Sequence, residues 1–226
     1  MDWMAIAERT LAGVAPTTEE SLAVVRAQDA EMPAIVAAAH LPRRRYFGNT
    51  VKVNFLVNIK SGICPEDCHY CSQSRLSKAP IDKYNLLSGG EILASARRGH
   101  EFGARRVCMV ASGRGPSDAD VAHIATAVRE VRSALPDAEI CACLGLLAPR
   151  QAAELKDAGV LAYNHNLNTS EGFYGEICET HTYADRVETV GVVKDAGLSP
   201  CCGALFGMGE GDDDIQVFIH MARKFK

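Results

Sequence analysis

The segment Cys64-Pro65-Glu66-Asp67-Cys68-His69-Tyr70-Cys71 places three thiols in eight residues, spaced C-x3-C-x2-C, just after an apolar run that reads as a strand. Three thiolates this close can wrap one metal centre. A structural zinc site takes four protein ligands, whereas three cysteines with no nearby fourth suit a 4Fe–4S cluster whose last iron stays open to a substrate-derived ligand. His69 is the zinc alternative's fourth ligand, but it lies inside the motif, where its geometry is poor.

The rest of the composition fits a reduced, soluble setting. The 226 residues carry nine cysteines and a net charge of −4, with 47% hydrophobic residues. A slightly acidic chain has no basic footprint for nucleic acid or an anionic membrane surface, so the expected partner is a small molecule. No apolar run approaches the roughly 18 residues of a membrane span, and Met1-Asp2-Trp3 does not begin a secretory signal. This predicts a cytoplasmic protein, in which thiols stay reduced and serve metal binding or catalysis rather than disulfides.

Residues 1–48 read as an N-terminal helical extension, opened at Thr17-Thr18-Glu19-Glu20 and closed by the solvated run Arg43-Arg44-Arg45. Residues 49–226 alternate short apolar runs with helical periodicity, the texture of β/α units around a parallel sheet. The strand candidates are Val51 to Ile59, Arg106 to Ala111, Glu139 to Leu144, Val160 to Leu167 and Leu198 to Phe206. Ser88-x-x-Glu91, Ser117-x-x-Asp120 and Thr182-x-x-Asp185 predict capped helix starts, while Gly159 and Gly197 close two helices with the same Lys-Asp-Ala-Gly ending. Five such units fit a doubly wound sheet or an incomplete (β/α)8 TIM-type barrel, which needs about 250 residues when complete. The pattern breaks off at Ile219 to Lys226, which predicts a longer parent chain.

C-x3-C-x-Tyr-C after the first strand resembles the signature of radical S-adenosylmethionine enzymes, which are (β/α) barrels. The resemblance implies that Cys64, Cys68 and Cys71 are catalytic and metal ligands. They would hold three irons of a 4Fe–4S cluster, with the fourth chelated by S-adenosylmethionine. One electron then yields a 5′-deoxyadenosyl radical. Tyr70 would lie near the adenine.

Cys108, Cys141 and Cys201 fall within three later strands, where alternation lets all three face a barrel lumen. Small buried hydrophobes are the other fate of free cysteines. These positions resemble those of the biotin synthase family, which implies a second, 2Fe–2S cluster held by the three strand cysteines and by an arginine that would lie beyond residue 226. Cys143, Cys178 and Cys202 match no ligand position and read as structural. In Tyr163-Asn164-His165-Asn166-Leu167-Asn168, three carboxamides share a strand face and offer uncharged donors and acceptors. That chemistry suits the ureido ring of dethiobiotin, with Asn164 and Asn166 as substrate-binding residues. Asn168, an aspartate in other members, is expected at the cofactor ribose. The resemblance also assigns Arg186 to the methionine carboxylate and the stretch from Gly203 to Glu210 to the adenine. Ala111-Ser112-Gly113 departs from the bulkier family sequence at the methionine end.

As the resemblance implies, the reaction is sulfur insertion at C6 and C9 of dethiobiotin, giving biotin. S-adenosylmethionine, a flavodoxin or ferredoxin electron donor and a homodimer are implied with it. Another radical S-adenosylmethionine barrel enzyme, or a non-catalytic iron–sulfur carrier, are the alternatives.

Overall fold

The computed structural model describes residues 1–217. Five strands, β1 (Asn54–Lys60), β2 (Arg106–Ala111), β3 (Glu139–Cys143), β4 (Ala162–Asn164) and β5 (Ser199–Cys201), form one parallel sheet in the order β1-β2-β3-β4-β5. That order decides the architecture. A doubly wound sheet reverses direction at a switch point, whereas strands added one after another on the same side build a (β/α) barrel, here an open five-stranded segment. No helix among the described residues is long and apolar enough to cross a membrane.

The first three helices, α1 (Trp3–Leu11), α2 (Thr18–Val25) and α3 (Met32–Phe47), precede the sheet. They carry a small core of their own around Trp3, Ala7 and Ala38. The later helices α4 (Gly89–Glu101), α5 (Asp118–Ala134), α6 (Pro149–Ala158), α7 (Tyr174–Ile177) and α8 (Tyr183–Asp195) follow the strands. Thr17, Ser88, Ser117 and Thr182 each close a capping box, so the orphan amides at those starts are satisfied locally. Gly159 and Gly197 end α6 and α8 with φ of 105° and 71°, a region that glycine enters without a Cβ clash.

Alternation within the strands separates two environments. Val57, Ile59, Val107, Met109, Ile140 and Ala142 point outward and are buried beneath α4 and α5 residues such as Ile92, Ile124 and Val128. The opposite face looks into the lumen. Leu56, Cys108, Cys141 and Ala162 lie at one level there, and Val110, Cys143, Asn164 and Cys201 at the next. Below them Arg106 Nη2 donates to Glu139 Oε2 at 2.8 Å, a charged floor at the N-terminal ends of the strands.

Two strands are shorter than their sequence suggests. The run Val160 to Leu167 is ladder only over Ala162–Asn164, and Leu198 to Phe206 only over Ser199–Cys201. Past Asn164 the pairing goes on as single bonds, His165 N to Cys201 O at 2.9 Å and Asn168 N to Gly203 O at 3.1 Å. Asn168 sits at φ 69°, which breaks the two-residue alternation that a ladder requires. β1 likewise starts at Asn54 rather than Val51. The pattern at Ile219 to Lys226 lies outside the described residues.

Candidate active site

A cavity of about 220 Å3 opens at the C-terminal ends of the strands, where barrels of this kind carry their chemistry. Its rim is the loop after β1, which brings Cys64, Cys68, Tyr70 and Cys71 to the wall. Asn164, Asn166, Asn168 and Arg186 face it from β4, the following loop and α8.

The cysteine loop is held by carboxylates within the motif. Asp67 is buried, and its Oδ1 accepts from the amides of Glu179 at 3.1 Å and Thr180 at 3.2 Å, from Thr180 Oγ1 at 2.9 Å and from Cys178 Sγ at 3.3 Å. Burial alone would raise the Asp67 carboxyl, but these donors carry it well below the usual carboxylate range. Glu66, equally buried, accepts from Thr180 Oγ1 at 2.7 Å and pairs with His181 Nδ1. His69 is exposed, and it is not in the His/Cys group that lies close enough to hold one ion among the described residues.

Among the described residues, three ligand atoms lie within 4.8 Å of one another at Cys68, Cys178 and His181. Cys64, Cys68 and Cys71 bring three thiols on one loop to the cavity wall, a donor set of the kind that iron–sulfur clusters take. Burial raises the Cys64 thiol, and burial together with Cys178 at 3.7 Å pushes Cys68 up to about 12. Beside them Ser112 Oγ is buried on the cavity wall without a partner among the described residues, a polar group available to a ligand. The donor set and this orphan fit a cluster-plus-cofactor site.

The second trio lies deeper. Cys108 and Cys141 are register partners on adjacent strands. The neighbouring Cys141 thiol lowers Cys108 to about 7, burial opposes it and Arg106 adds to it, while Cys141 is driven far up. Cys201 is near enough to contribute to the rise at Cys141. Its Sγ accepts from Asn164 Nδ2 at 3.3 Å.

The remaining sequence candidates divide. Asn168 Nδ2 donates to the Tyr70 hydroxyl, tying the asparagine loop to the cysteine loop. Arg186 Nη1 donates to Asn166 O at 2.7 Å, and its Nη2 to Tyr70 Oη at 3.2 Å. Gly203 is packed against Asn166, whose Oδ1 would lie 3.4 Å from an added Cβ. Glu210 stays off the cavity wall: its carboxylate accepts from Gly207 N at 2.6 Å and Met208 N at 2.8 Å, which bends its own loop.

Sequence reasoning missed four residues. Cys143, expected as structural, lines the cavity with its Sγ 3.5 Å from Asn164 Oδ1. His165 also lines it, 5% exposed, with Nε2 lacking a partner among the described residues. Burial first, then Arg186 and His181, lower His165 to about 3, so it is neutral. Cys178 and His181 pack under the cysteine loop, and their signal was present only as the Cys178-Glu179-Thr180-His181 sequence after α7.

A (β/α) barrel with three cysteines at its mouth defines a class, and the family model of the radical SAM superfamily matches residues 58–222. The chain belongs to that superfamily, which works with a 4Fe–4S cluster and S-adenosylmethionine. It is 55% identical over 210 residues to biotin synthase 2 of Frankia casuarinae and 54% identical over 219 residues to biotin synthase of Saccharopolyspora erythraea. These alignments take in 93% and 97% of the chain but only 58% and 62% of those relatives, so the chain spans about three-fifths of their length. Among solved structures, methylornithine synthase superposes with a TM-score of 0.85 at 19% identity, covering 98% of this chain and 65% of that one. The FeFe-hydrogenase maturase HydG from Carboxydothermus hydrogenoformans gives 0.82 at 21%, covering 99% and 53%. At those identities the likeness is one of fold.

Proposed function

We propose that this chain carries the sulfur-inserting site of a biotin synthase, acting on dethiobiotin. The observation that carries the reading is the pair of cysteine sets stacked along one lumen: Cys64, Cys68 and Cys71 at the mouth, with Cys108 and Cys141 in register below and Cys201 beside them. Relatives named biotin synthase at 54–55% identity support it.

Cys64, Cys68 and Cys71 would hold the 4Fe–4S cluster, and Cys108, Cys141 and Cys201 the 2Fe–2S cluster. When bound, the first with S-adenosylmethionine supplies a hydrogen-abstracting radical and the second supplies sulfur. The chain's own residues do the positioning. Arg186, anchored on Asn166 O, points a guanidinium into the cavity for the methionine carboxylate, and Tyr70 and Asn168 brace each other where adenosine would lie. Asn164 and Asn166 offer amide donors and acceptors to a neutral ureido ring. His165 stays neutral beside them. The outward faces of β2 and β3 are fully buried, which closes the lumen wall to water from that side. A flavodoxin- or ferredoxin-type donor and a dimer belong to the same proposal.

The test is anaerobic reconstitution, with iron and sulfide, of this chain extended through the region that would carry the arginine ligand, then assay with reductant, S-adenosylmethionine and dethiobiotin. Biotin formation, with S-adenosylmethionine cleavage surviving in Cys108→Ala while biotin is lost, is the expected result. A wild-type chain that takes up four irons but cleaves no S-adenosylmethionine would instead mark a carrier.

A further inference from the structure

The corner beneath the cysteine loop contains a chain of hydrogen bonds that none of the assigned roles uses. Glu66 and His181 are 115 positions apart in sequence and are 5% and 6% exposed. Glu66 Oε2 meets His181 Nδ1, and a carboxylate can only accept, so Nδ1 carries the proton. Nε2 is then the bare nitrogen. It accepts from Arg186 Nη2 at 2.8 Å and from Arg186 Nε at 3.1 Å. A protonated ring would set a second donor against the guanidinium, and burial and Arg186 lower the imidazole from its ordinary value against the opposing pull of Glu66. Thr180 Oγ1 lies 2.7 Å from the same Glu66 oxygen and shares its one proton with Asp67 Oδ1 at 2.9 Å, and Arg114 Nη1 lies 3.7 Å from the other Glu66 oxygen.

The same atoms exclude a simpler reading of this corner as an ion site. Cys68, Cys178 and His181 could surround one metal, but a metal on Nδ1 must displace its proton to Nε2. That proton would face the guanidinium donors at 2.8 and 3.1 Å. The tautomer that satisfies Glu66 and Arg186 together leaves no lone pair for an ion.

We propose that His181 is a positioning residue: Glu66 fixes it as the Nδ1–H tautomer, and its Nε2 sets the place and orientation of the Arg186 guanidinium in the cavity. The role rests on the reading of Arg186 as the partner of the S-adenosylmethionine carboxylate. Other groups reach Arg186 as well. Asn166 O and Tyr70 Oη accept from Nη1 and Nη2, and the Tyr174 hydroxyl accepts from Nε. Among the described residues His181 alone meets two guanidinium nitrogens, Nη2 and the Nε whose proton it shares with the Tyr174 hydroxyl, and that pair of contacts sets the rotation of the plane.

Two variants separate geometry from packing. His181→Gln carries an amide oxygen to about the Nε2 position, whereas His181→Asn ends near Nδ1 and cannot reach Arg186. With equal iron per chain, His181→Asn is expected to bind S-adenosylmethionine about tenfold more weakly than wild type, and His181→Gln within about threefold of it. The loss should appear in KM for S-adenosylmethionine rather than in kcat. Histidine side-chain nitrogen NMR of the full chain should show His181 protonated on Nδ1 and bare on Nε2. Equal affinity in all three proteins, equal loss in both variants, an Nε2–H tautomer or a stoichiometric zinc on Nδ1 would each overturn the positioning role. An iron-loaded wild type that binds no S-adenosylmethionine overturns the functional reading itself, while the tautomer still reports on the hydrogen-bond chain separately.

Discussion

The two sets of cysteines are built by different means. Cys108 and Cys141 sit in the middle of a regular ladder, where backbone bonds of β2 and β3 place them whatever their side chains do. Cys64, Cys68 and Cys71 sit on a loop with little ladder, and their place depends on Asp67 and Glu66 reaching the Cys178–His181 segment. The lower set is therefore tolerant of substitution in geometry and intolerant only in chemistry. The upper set is sensitive to both, because removing one buried acceptor releases several donors at once.

The largest expected effect is at the upper set. Cys68→Ala leaves two thiols for a three-iron attachment, so iron uptake at the mouth and all S-adenosylmethionine cleavage should vanish in iron analysis and product chromatography. Retained cleavage would dissolve the comparison. Next, Asp67→Ala strands the amides of Glu179 and Thr180 and should cost about 3 kcal/mol in urea unfolding. A loss under about 1 kcal/mol would show that the loop is held by something else.

Acid should act between these extremes. His165 has a folded value of about 3 against an ordinary 6.5, so the unfolded chain binds the extra proton first. Stability due to this group is full above pH 6.5 and falls as pH drops toward 3, by up to about 2 kcal/mol between pH 6.5 and 5. Urea midpoints at both pH values check this, and His165→Phe should flatten the slope. Asn166→Ala removes one amide from the cavity wall and should weaken dethiobiotin binding by about 1–3 kcal/mol, with cluster spectra unchanged. The smallest effect falls on the lower set: Cys108→Ala, in a ladder that keeps its shape, should cost about 1 kcal/mol in the same unfolding assay. A cost like that of Asp67→Ala would erase the distinction between the two sets.

Much of this was legible in the residues alone, because it depends on neighbours in the chain. The C-x3-C-x2-C spacing, the capping boxes at Ser88, Ser117 and Thr182, and the glycines at 159 and 197 are local devices that work within one turn. β2 was read to its ends, since alternation over Arg106–Ala111 is unbroken. What local pattern could not supply was anything settled across the sheet. The order of strands, and with it a barrel rather than a doubly wound sheet, is a matter of which edges pair. β4 and β5 stop as ladders at Asn164 and Cys201, and past them only single bonds and a bridge between Asn168, at φ 69°, and Ala204 continue the pairing. That Glu210 braces its own loop through the amides of Gly207 and Met208 was likewise not legible in the spacing. His181 and Glu66 became partners only when the chain brought residues 115 positions apart into one buried corner, because a hydrogen bond depends on distance in space and leaves no spacing in the sequence.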